Sequence, residues 1–383
     1  MKCHHYLKKH CLSCDLLSLG YTASVKQKEA ALAAFFPEQV AKIKPAMIPS
    51  ANHQPGSRNK AKLAVAFNQG EIQFGFYDST QQFKVLEDCP LHAEPINQLL
   101  VYLKQSLREF NLRPYDLSKR LGELKFVIIT YSESTNEILL RFVLRSTAQL
   151  HRLKLLVLAM HEKQPNVKVI TANIQNKHQA ILEGDEEFVL TAKETITHQF
   201  SDVVLYQGPR SFLQTNSAVA LSLYQQFQNE LSHLPITSLL DLYCGVGAFA
   251  FFANKHCQKV VGVEISEAAI DYANQARVAN HANDTQFIAM DVEPYLKSLK
   301  PNSFDAILVN PPRRGLNQAI VDDLLRLAPT YIFYSSCNAA SLQRDWRQLE
   351  AEYEMASLQL FDMFPHTSHF ETLMILVRKT VFF

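Results

Sequence analysis

The chain has 383 residues, 47% of them apolar and 20% charged, with a net charge of +1, an ordinary composition with apolar content for more than one hydrophobic core. No apolar run approaches the roughly 18 residues that cross a bilayer, and the Lys- and His-rich opening lacks the apolar stretch of a secretory signal. Seven cysteines without such a signal predict reduced thiols in the cytoplasm, not a disulfide framework.

Charge is unevenly spread. Residues 1–70 hold ten Lys or Arg against three acids, Asp15, Glu29 and Glu38, an excess of +7 that leaves −6 for the rest. Such a segment is either a solvated lysine-rich surface or the footprint of a polyanion.

In chain order, residues 1–17 are rich in Cys and His and too short to fold alone. Helical spacing of Ala and Phe follows over 26–36. Residues 61–77 alternate about Asn68-Gln-Gly70, the pattern of a β-hairpin. A second hairpin is predicted from the apolar runs 126–131 and 138–144, then a helix over about 148–163 and strands near 167–174 and 187–191. From about 235, strands and helices alternate, which predicts a parallel sheet. The expected fold is α/β: a Rossmann-like doubly wound domain over 201–383, preceded by a mixed α+β region over 1–200.

Three predicted strands deliver polar groups at their carboxyl ends, where a doubly wound sheet binds its ligand. The first runs through Leu239, Leu240 and Asp241 into Gly245-x-Gly247. This turn also fits the dinucleotide pattern G-x-G-x-x-A, with Glu264 at the ribose position. Asp241, an acid on the strand itself, turns the reading toward S-adenosylmethionine, with Glu264 on the ribose hydroxyls and Asp291 a candidate for the adenine amine. The second strand ends in Asn310-Pro-Pro-Arg-Arg-Gly315. Amine methyltransferases place an aromatic after Asn-Pro-Pro to stack the target base; Arg313 and Arg314 stand here instead, a pair suited to phosphate. The third ends in Ser335-Ser-Cys-Asn338.

Cys337 in that polar setting suggests covalent chemistry, although a buried structural thiol is the commoner fate of cysteine. Methylating C5 of a pyrimidine needs a nucleophile, because C5 becomes reactive only after a thiolate adds to C6. A base must then remove the C5 proton before the thiol leaves. Residues 364–371 offer His366, His369 and Glu371, and spacing does not choose among them.

Taken together, Leu240-Asp-Leu-Tyr-Cys-Gly-Val-Gly247, Asn310-Pro-Pro-Arg-Arg-Gly315, Ser335-Ser-Cys-Asn338 and Phe361-Asp-Met-Phe-Pro-His-Thr-Ser-His-Phe-Glu371 resemble the RNA uracil-C5 methyltransferases over essentially the whole chain. The resemblance implies Cys337 as nucleophile and Glu371 as base, with Gln214, Tyr243, Glu264 and Asn310 contacting S-adenosylmethionine. It also implies that about 18–49 packs with the catalytic domain. Ser217 departs from the family, standing where proline is common.

Cys3, Cys11 and Cys14, with Cys89 followed by proline, make a set of four thiols that spacing alone leaves open to zinc or an iron–sulfur cluster. His4, His5 and His10 could also serve zinc. Ribosomal-RNA members of the family carry a [4Fe–4S] cluster on such a quartet, so the resemblance implies one here, making the first region both cluster-bearing and RNA-binding. One ribosomal branch begins with an extra β-barrel, for which there is no room before Cys3. The likeness is therefore to the short branch, which acts on uridine 747 of 23S ribosomal RNA; Asn310, in place of an Asp, fits that branch. The expected partner is that RNA, with neither a membrane nor an obligate protein partner implied. The same chemistry on another ribosomal or transfer RNA uridine, and a nicotinamide-linked oxidoreductase, are the alternative readings.

Overall fold

Short apolar strands alternating with helices bury both faces of a sheet only if helices cover each face. That is how the C-terminal half folds. A computed structural model describes residues 1–48, 55–68, 70–116, 119–177 and 182–379. The chain divides into two compact units, one of Met1–Ser13 with Asn52–His198, the other of Cys14–Ala51 with Gln199–Phe383.

The second unit is built on an eight-stranded sheet. From edge to edge its strands are Ile43–Met47, Tyr353–Phe361, Glu371–Arg378, Tyr331–Ser336, Ala306–Val309, Ser238–Leu242, Lys259–Glu264 and Thr285–Ala289. The last five named run parallel. Glu371–Arg378 runs antiparallel to both its neighbours. Alternate residues feed two separate cores: Leu239, Leu308 and Phe333 point to one face, Leu240, Ile307 and Ile332 to the other. Helices Ser217–Ser232 and Ala248–Ala253 cover the first face, and Gln318–Leu327 and Ala339–Leu349 the second. The order reverses beside Ser238–Leu242, so a crevice opens at the carboxyl ends of the central strands.

Residues from the N-terminal part of the sequence complete this unit. Helix Tyr21–Phe35 contributes Leu32 to the second core, and Ile43–Met47 adds a parallel edge strand to Tyr353–Phe361. The helix begins five residues before the start that apolar spacing predicts. Its buried face includes Ser24 and Lys28, so polar partners, not apolar periodicity, define that face.

The first unit holds a seven-stranded sheet in the order Phe83–Val85, Glu71–Tyr77, Lys60–Asn68, Leu124–Ser132, Glu137–Leu144, Val167–Ile174 and Glu186–Val189. Both expected hairpins are present, Asn68 pairing with Glu71 and Ser132 with Glu137; Gln69, in the first turn, lies outside the described residues. Glu137–Leu144 and Val167–Ile174 are parallel, joined through helix Leu150–Lys163, which starts after a tight turn at Thr147–Gln149. That helix and Glu94–Glu109 pack Leu153, Leu156, Ile96, Leu99 and Leu103 onto one face of the sheet.

One backbone position shapes the crevice. Gly247 has φ +84°, and a Cβ there would lie 2.6 Å from Cζ of Phe287. Gly247→Ala should therefore destabilise the fold by about 2–4 kcal/mol, combining left-handed strain with overpacking. Trp346, the sole tryptophan of the chain, is buried in this unit, so denaturant titration followed by its fluorescence measures the loss.

Candidate active site

Every strand end that forms the crevice presents a residue of the expected set. Tyr243 follows Ser238–Leu242 with φ +61°, turning the chain into Gly245 and Gly247. Glu264 closes its strand with one carboxylate oxygen accepting from the Gly245 N–H at 3.3 Å and the other from Ser266 N–H at 3.0 Å. It thereby fastens the glycine turn as well as facing the crevice edge. Asn310 follows Ala306–Val309 and donates its N–H to the Leu242 carbonyl at 3.4 Å, bridging the two central strand ends. Asp291 caps helix Val292–Ser298, accepting from Glu293 N–H.

Asp241 is fully buried on the central strand, and neither of its carboxylate oxygens makes a hydrogen bond of normal geometry. Burial pushes its proton affinity well up, the Ala250 N–H opposing and the Glu264 charge adding to it. A buried carboxyl so poorly satisfied fits a cationic ligand group. Tyr243 is pushed up to about 12, chiefly by burial and next by the Asp291 charge.

Cys337 sits between strand Tyr331–Ser336 and helix Ala339–Leu349. Ser336 Oγ accepts from Asn338 N–H at 3.1 Å, and Asn338 caps the helix by accepting from Ala340 N–H. The Asn338 amide donates to the Arg313 carbonyl at 2.9 Å, tying the cysteine turn to the Asn-Pro-Pro loop. Arg344 donates to the carbonyls of Arg314 and Leu316, and Asp345 accepts from Leu316 N–H at 2.8 Å. These bonds pin the rest of that loop. Arg313, read from sequence as half of a phosphate-binding pair, also acts on the Cys337 thiol, lowering its proton affinity by hydrogen bond and charge.

Glu371 is the residue that comes to Cys337. Its strand runs antiparallel to Tyr331–Ser336, with Thr372 opposite Ser336, so the start of one strand lies beside the end of the other. Glu371 is 2% exposed, accepts from Ser335 Oγ at 3.1 Å and is hydrogen-bonded by the Gln214 side chain. Burial pushes its carboxyl up to about 7, with both hydrogen bonds opposing. Burial also raises the Cys337 thiol, next the Glu371 charge does so, and Arg313 pulls it down by hydrogen bond and charge. His369 is exposed, and His366, although buried, makes no hydrogen bond from either ring nitrogen. Among the three residues that spacing left open, Glu371 is the one whose charge is felt at the thiol.

Gln214, taken from sequence as a cofactor contact, therefore also touches the candidate base. Ser335 and Arg313 escaped assignment to the base and the thiol. A serine ending an otherwise apolar buried strand was the available sign for Ser335; nothing local marked Arg313.

The proposed cluster residues divide between the units: Cys3, Cys11 and Cys89 fall in the first and Cys14 opens the second stretch of chain. None of the seven cysteines is in a disulfide. Among the described residues, the three metal-ligating side chains whose donor atoms converge within 4.8 Å are His4, His5 and Asp88, with His5 Nε2 2.7 Å from the Asp88 carboxylate.

A central parallel sheet with one reversed strand and a crevice at the carboxyl ends of its central strands is the Rossmann-like methyltransferase fold. The comparisons narrow this. The family model for tRNA (Uracil-5-)-methyltransferase matches residues 20–379. The chain is 37% identical over 382 residues to the 23S rRNA (uracil(747)-C(5))-methyltransferase RlmC of Vibrio vulnificus (strain CMCP6), spanning 99% of this chain and 100% of that protein. It is 36% identical over 377 residues to the protein of the same name from Photorhabdus laumondii, spanning 98% and 99%. The crystal structure of Pyrococcus abyssi tRNA (uracil-54, C5)-methyltransferase in complex with S-adenosyl-L-homocysteine shares the fold, with a TM-score of 0.78 at 24% identity over 96% of this chain and 86% of that one. The chain belongs to the tRNA (uracil-5-)-methyltransferase family, and its glycine turn is that of an S-adenosylmethionine enzyme, not a nicotinamide one.

The buried carboxyl has a consequence for stability. Because folding raises the proton affinity of Glu371 from an ordinary 4.5 to about 7, its contribution is most favourable below the unfolded value and is lost as pH rises through about 7. Glu371→Gln should therefore stabilise the protein by up to about 3 kcal/mol at about pH 8, the gain shrinking toward zero near pH 5. Thermal unfolding across that range checks the sign.

Proposed function

We propose that this chain transfers the methyl group of S-adenosylmethionine to C5 of uridine 747 in 23S ribosomal RNA. The observation that carries the reading is the Cys337–Glu371 pair, brought together by one antiparallel strand at the ligand edge of the sheet. Full-length similarity to relatives of that name supports the target. The class of RNA follows from them, since the pair itself would serve any accessible uridine.

The steps follow from the residues. The target uridine leaves its stack, at a cost of a few kcal/mol that is least in a loop. Arg313 stabilises the Cys337 thiolate, which adds to C6 and leaves C5 an enolate carbon. S-adenosylmethionine supplies the methyl cation that C5 takes up, and the thioether departs. Glu371, held by Ser335 and Gln214, removes the C5 proton; the C5–C6 double bond re-forms and the thiolate is expelled. Tyr243, Glu264, Asn310 and Gln214 would hold the cofactor, with Asp241 meeting its amino group. We assign methyl transfer to the unit of Cys14–Ala51 and Gln199–Phe383, and RNA capture to the other, in the cytoplasm where the ribosome is built.

Cys337→Ser should bind cofactor normally yet give neither adduct nor product. Glu371→Gln should transfer methyl and then stall, leaving a gel-stable methylated protein–RNA species. Mass mapping of 5-methyluridine in 23S RNA from cells lacking the protein should show position 747 unmodified; loss at a different uridine would reassign the target and leave the chemistry intact.

For the N-terminal cysteines we propose a [4Fe–4S] cluster held by Cys3, Cys11, Cys14 and Cys89. A set of four thiols suits it; burial pushes the Cys89 thiol up, with the Leu91 N–H and the Arg58 charge opposing, so a bound cation would be needed to hold it as thiolate. The cluster would anchor the basic N-terminal segment and take no part in methyl transfer. The convergence of His4, His5 and Asp88 favours one competing occupant, a single zinc. Protein purified without air should carry about four irons per chain on this reading. One tightly bound zinc with no iron or sulfide would decide for the histidines. Cys11→Ser or Cys14→Ser should abolish iron binding and weaken RNA binding while leaving cofactor affinity unchanged.

A further inference from the structure

The residues that hold Glu371 in place extend to the other end of the sequence. Asp362, fully buried, ends the Tyr353–Phe361 strand, and residues 362–370 lead to Glu371 without regular structure. Lys28, 1% exposed on helix Tyr21–Phe35, donates to Asp362 Oδ1 at 2.5 Å and to the Phe364 carbonyl at 2.9 Å. Tyr21, one helical face away, donates its hydroxyl to Asp362 Oδ2 at 2.6 Å. Just upstream, Leu16 N–H donates to the His366 carbonyl at 3.0 Å and Asp15 accepts from Ser368 N–H at 2.9 Å. Asp362 N–H itself donates to Met47 O at 2.8 Å. Residues 15–47 thus bind the loop at 362, 364, 366 and 368.

A buried ion pair is a weak source of stability, because desolvation offsets most of the attraction. What it supplies is direction. Both oxygens of Asp362 are fixed by different donors, and Lys28 spans the first turn of the loop. His366, in the left-handed region at φ +64°, is held there through its carbonyl while its ring packs edge-on against Tyr21 at 5.6 Å. The loop has no sheet partner of its own, so these contacts set where its far end enters the strand.

We propose that Lys28 and Tyr21 are positioning residues for proton removal: through Asp362 they fix the loop that delivers Glu371, and so control elimination without touching substrate. This rests on Glu371 as the base. The relevant precision is high, since a misplacement of about 1 Å at a reacting group costs on the order of a hundredfold in rate.

The test separates adduct formation from its decay. Wild type, Tyr21→Phe, Lys28→Met, the double variant Lys28→Met with Asp362→Leu, and Glu371→Gln are each mixed with cofactor and an RNA fragment containing the uridine-747 loop. Covalent protein–RNA species are then followed in a single turnover, beside S-adenosylhomocysteine affinity and melting temperature. Tyr21→Phe and the double variant should form the methylated adduct near the wild-type rate, bind S-adenosylhomocysteine unchanged, and clear the adduct about ten- to a hundredfold more slowly. The double variant removes both buried charges together, so its melting temperature should recover relative to Lys28→Met while its clearance does not. Wild-type clearance in the double variant, or equal slowing of both steps in Tyr21→Phe and the double variant, would overturn the positioning role. If Glu371→Gln clears its adduct at the wild-type rate, the base assignment is what fails; if it stalls and the double variant clears normally, the failure belongs to Lys28 and Tyr21. Should Lys28→Met not fold, Tyr21→Phe and the double variant decide alone.

Discussion

The site depends on one reversal of chain direction. Parallel strands of a doubly wound sheet all present their carboxyl ends to the same edge, so groups at their starting ends are remote from the ligand. Glu371–Arg378 runs the other way between Tyr331–Ser336 and Tyr353–Phe361, and therefore presents its first residue at that edge. Pairing of Thr372 with Ser336 leaves no freedom in which residue arrives beside Cys337, because a one-residue slip would turn Glu371 to the other face. The proposed nucleophile lies just past the end of one strand and the proposed base opens the next.

That proximity sets the electrostatics. Glu371 raises the proton affinity of Cys337, and burial raises both. Two such groups titrate as a pair, and the favoured charged states are those with a single negative charge between them. Arg313 weights the balance toward thiolate. On the proposed mechanism, addition to uracil C6 would carry the negative charge away from sulfur onto the base and so remove the repulsion that discourages ionised Glu371. A carboxyl poised near neutrality is then suited to take one proton and return it to solvent. Ser335 and Gln214 hold that carboxyl from two different elements, and Gln214 joins it to residues of the cofactor crevice.

The N-terminal region obeys a different logic from its order in the chain. Residues 14–51 belong by contact with 199–383, whereas 1–13 belong with 52–198. A single boundary near 200 does not describe this exchange, which the resemblance anticipated for about 18–49; of the cysteine set, Cys14 belongs to the second unit and Cys3, Cys11 and Cys89 to the first.

What was legible in the amino-acid sequence is what local chemistry encodes. Apolar runs ending in Gly245-x-Gly247, in Asn310-Pro-Pro and in Ser335-Ser-Cys-Asn338 read as strands stopping at polar turns, since glycine and proline punctuate the backbone whatever lies around them. The hairpin at 60–77 follows from alternation with period two, and that at 124–144 from two short apolar runs rich in β-branched and aromatic residues. Spacing fits Glu371, His366 and His369 alike; the resemblance favours Glu371, and strand register and burial are what bring its charge to Cys337. Arg313 declares its charge in the sequence but not that it reaches the Cys337 thiol. No spacing marked Lys28 as buried, yet it is, its amine meeting Asp362, 334 residues later. Turns, periods and nucleophile types are written in neighbouring residues. Which charges meet, and how strongly each holds its proton, is decided by packing between segments far apart in the chain.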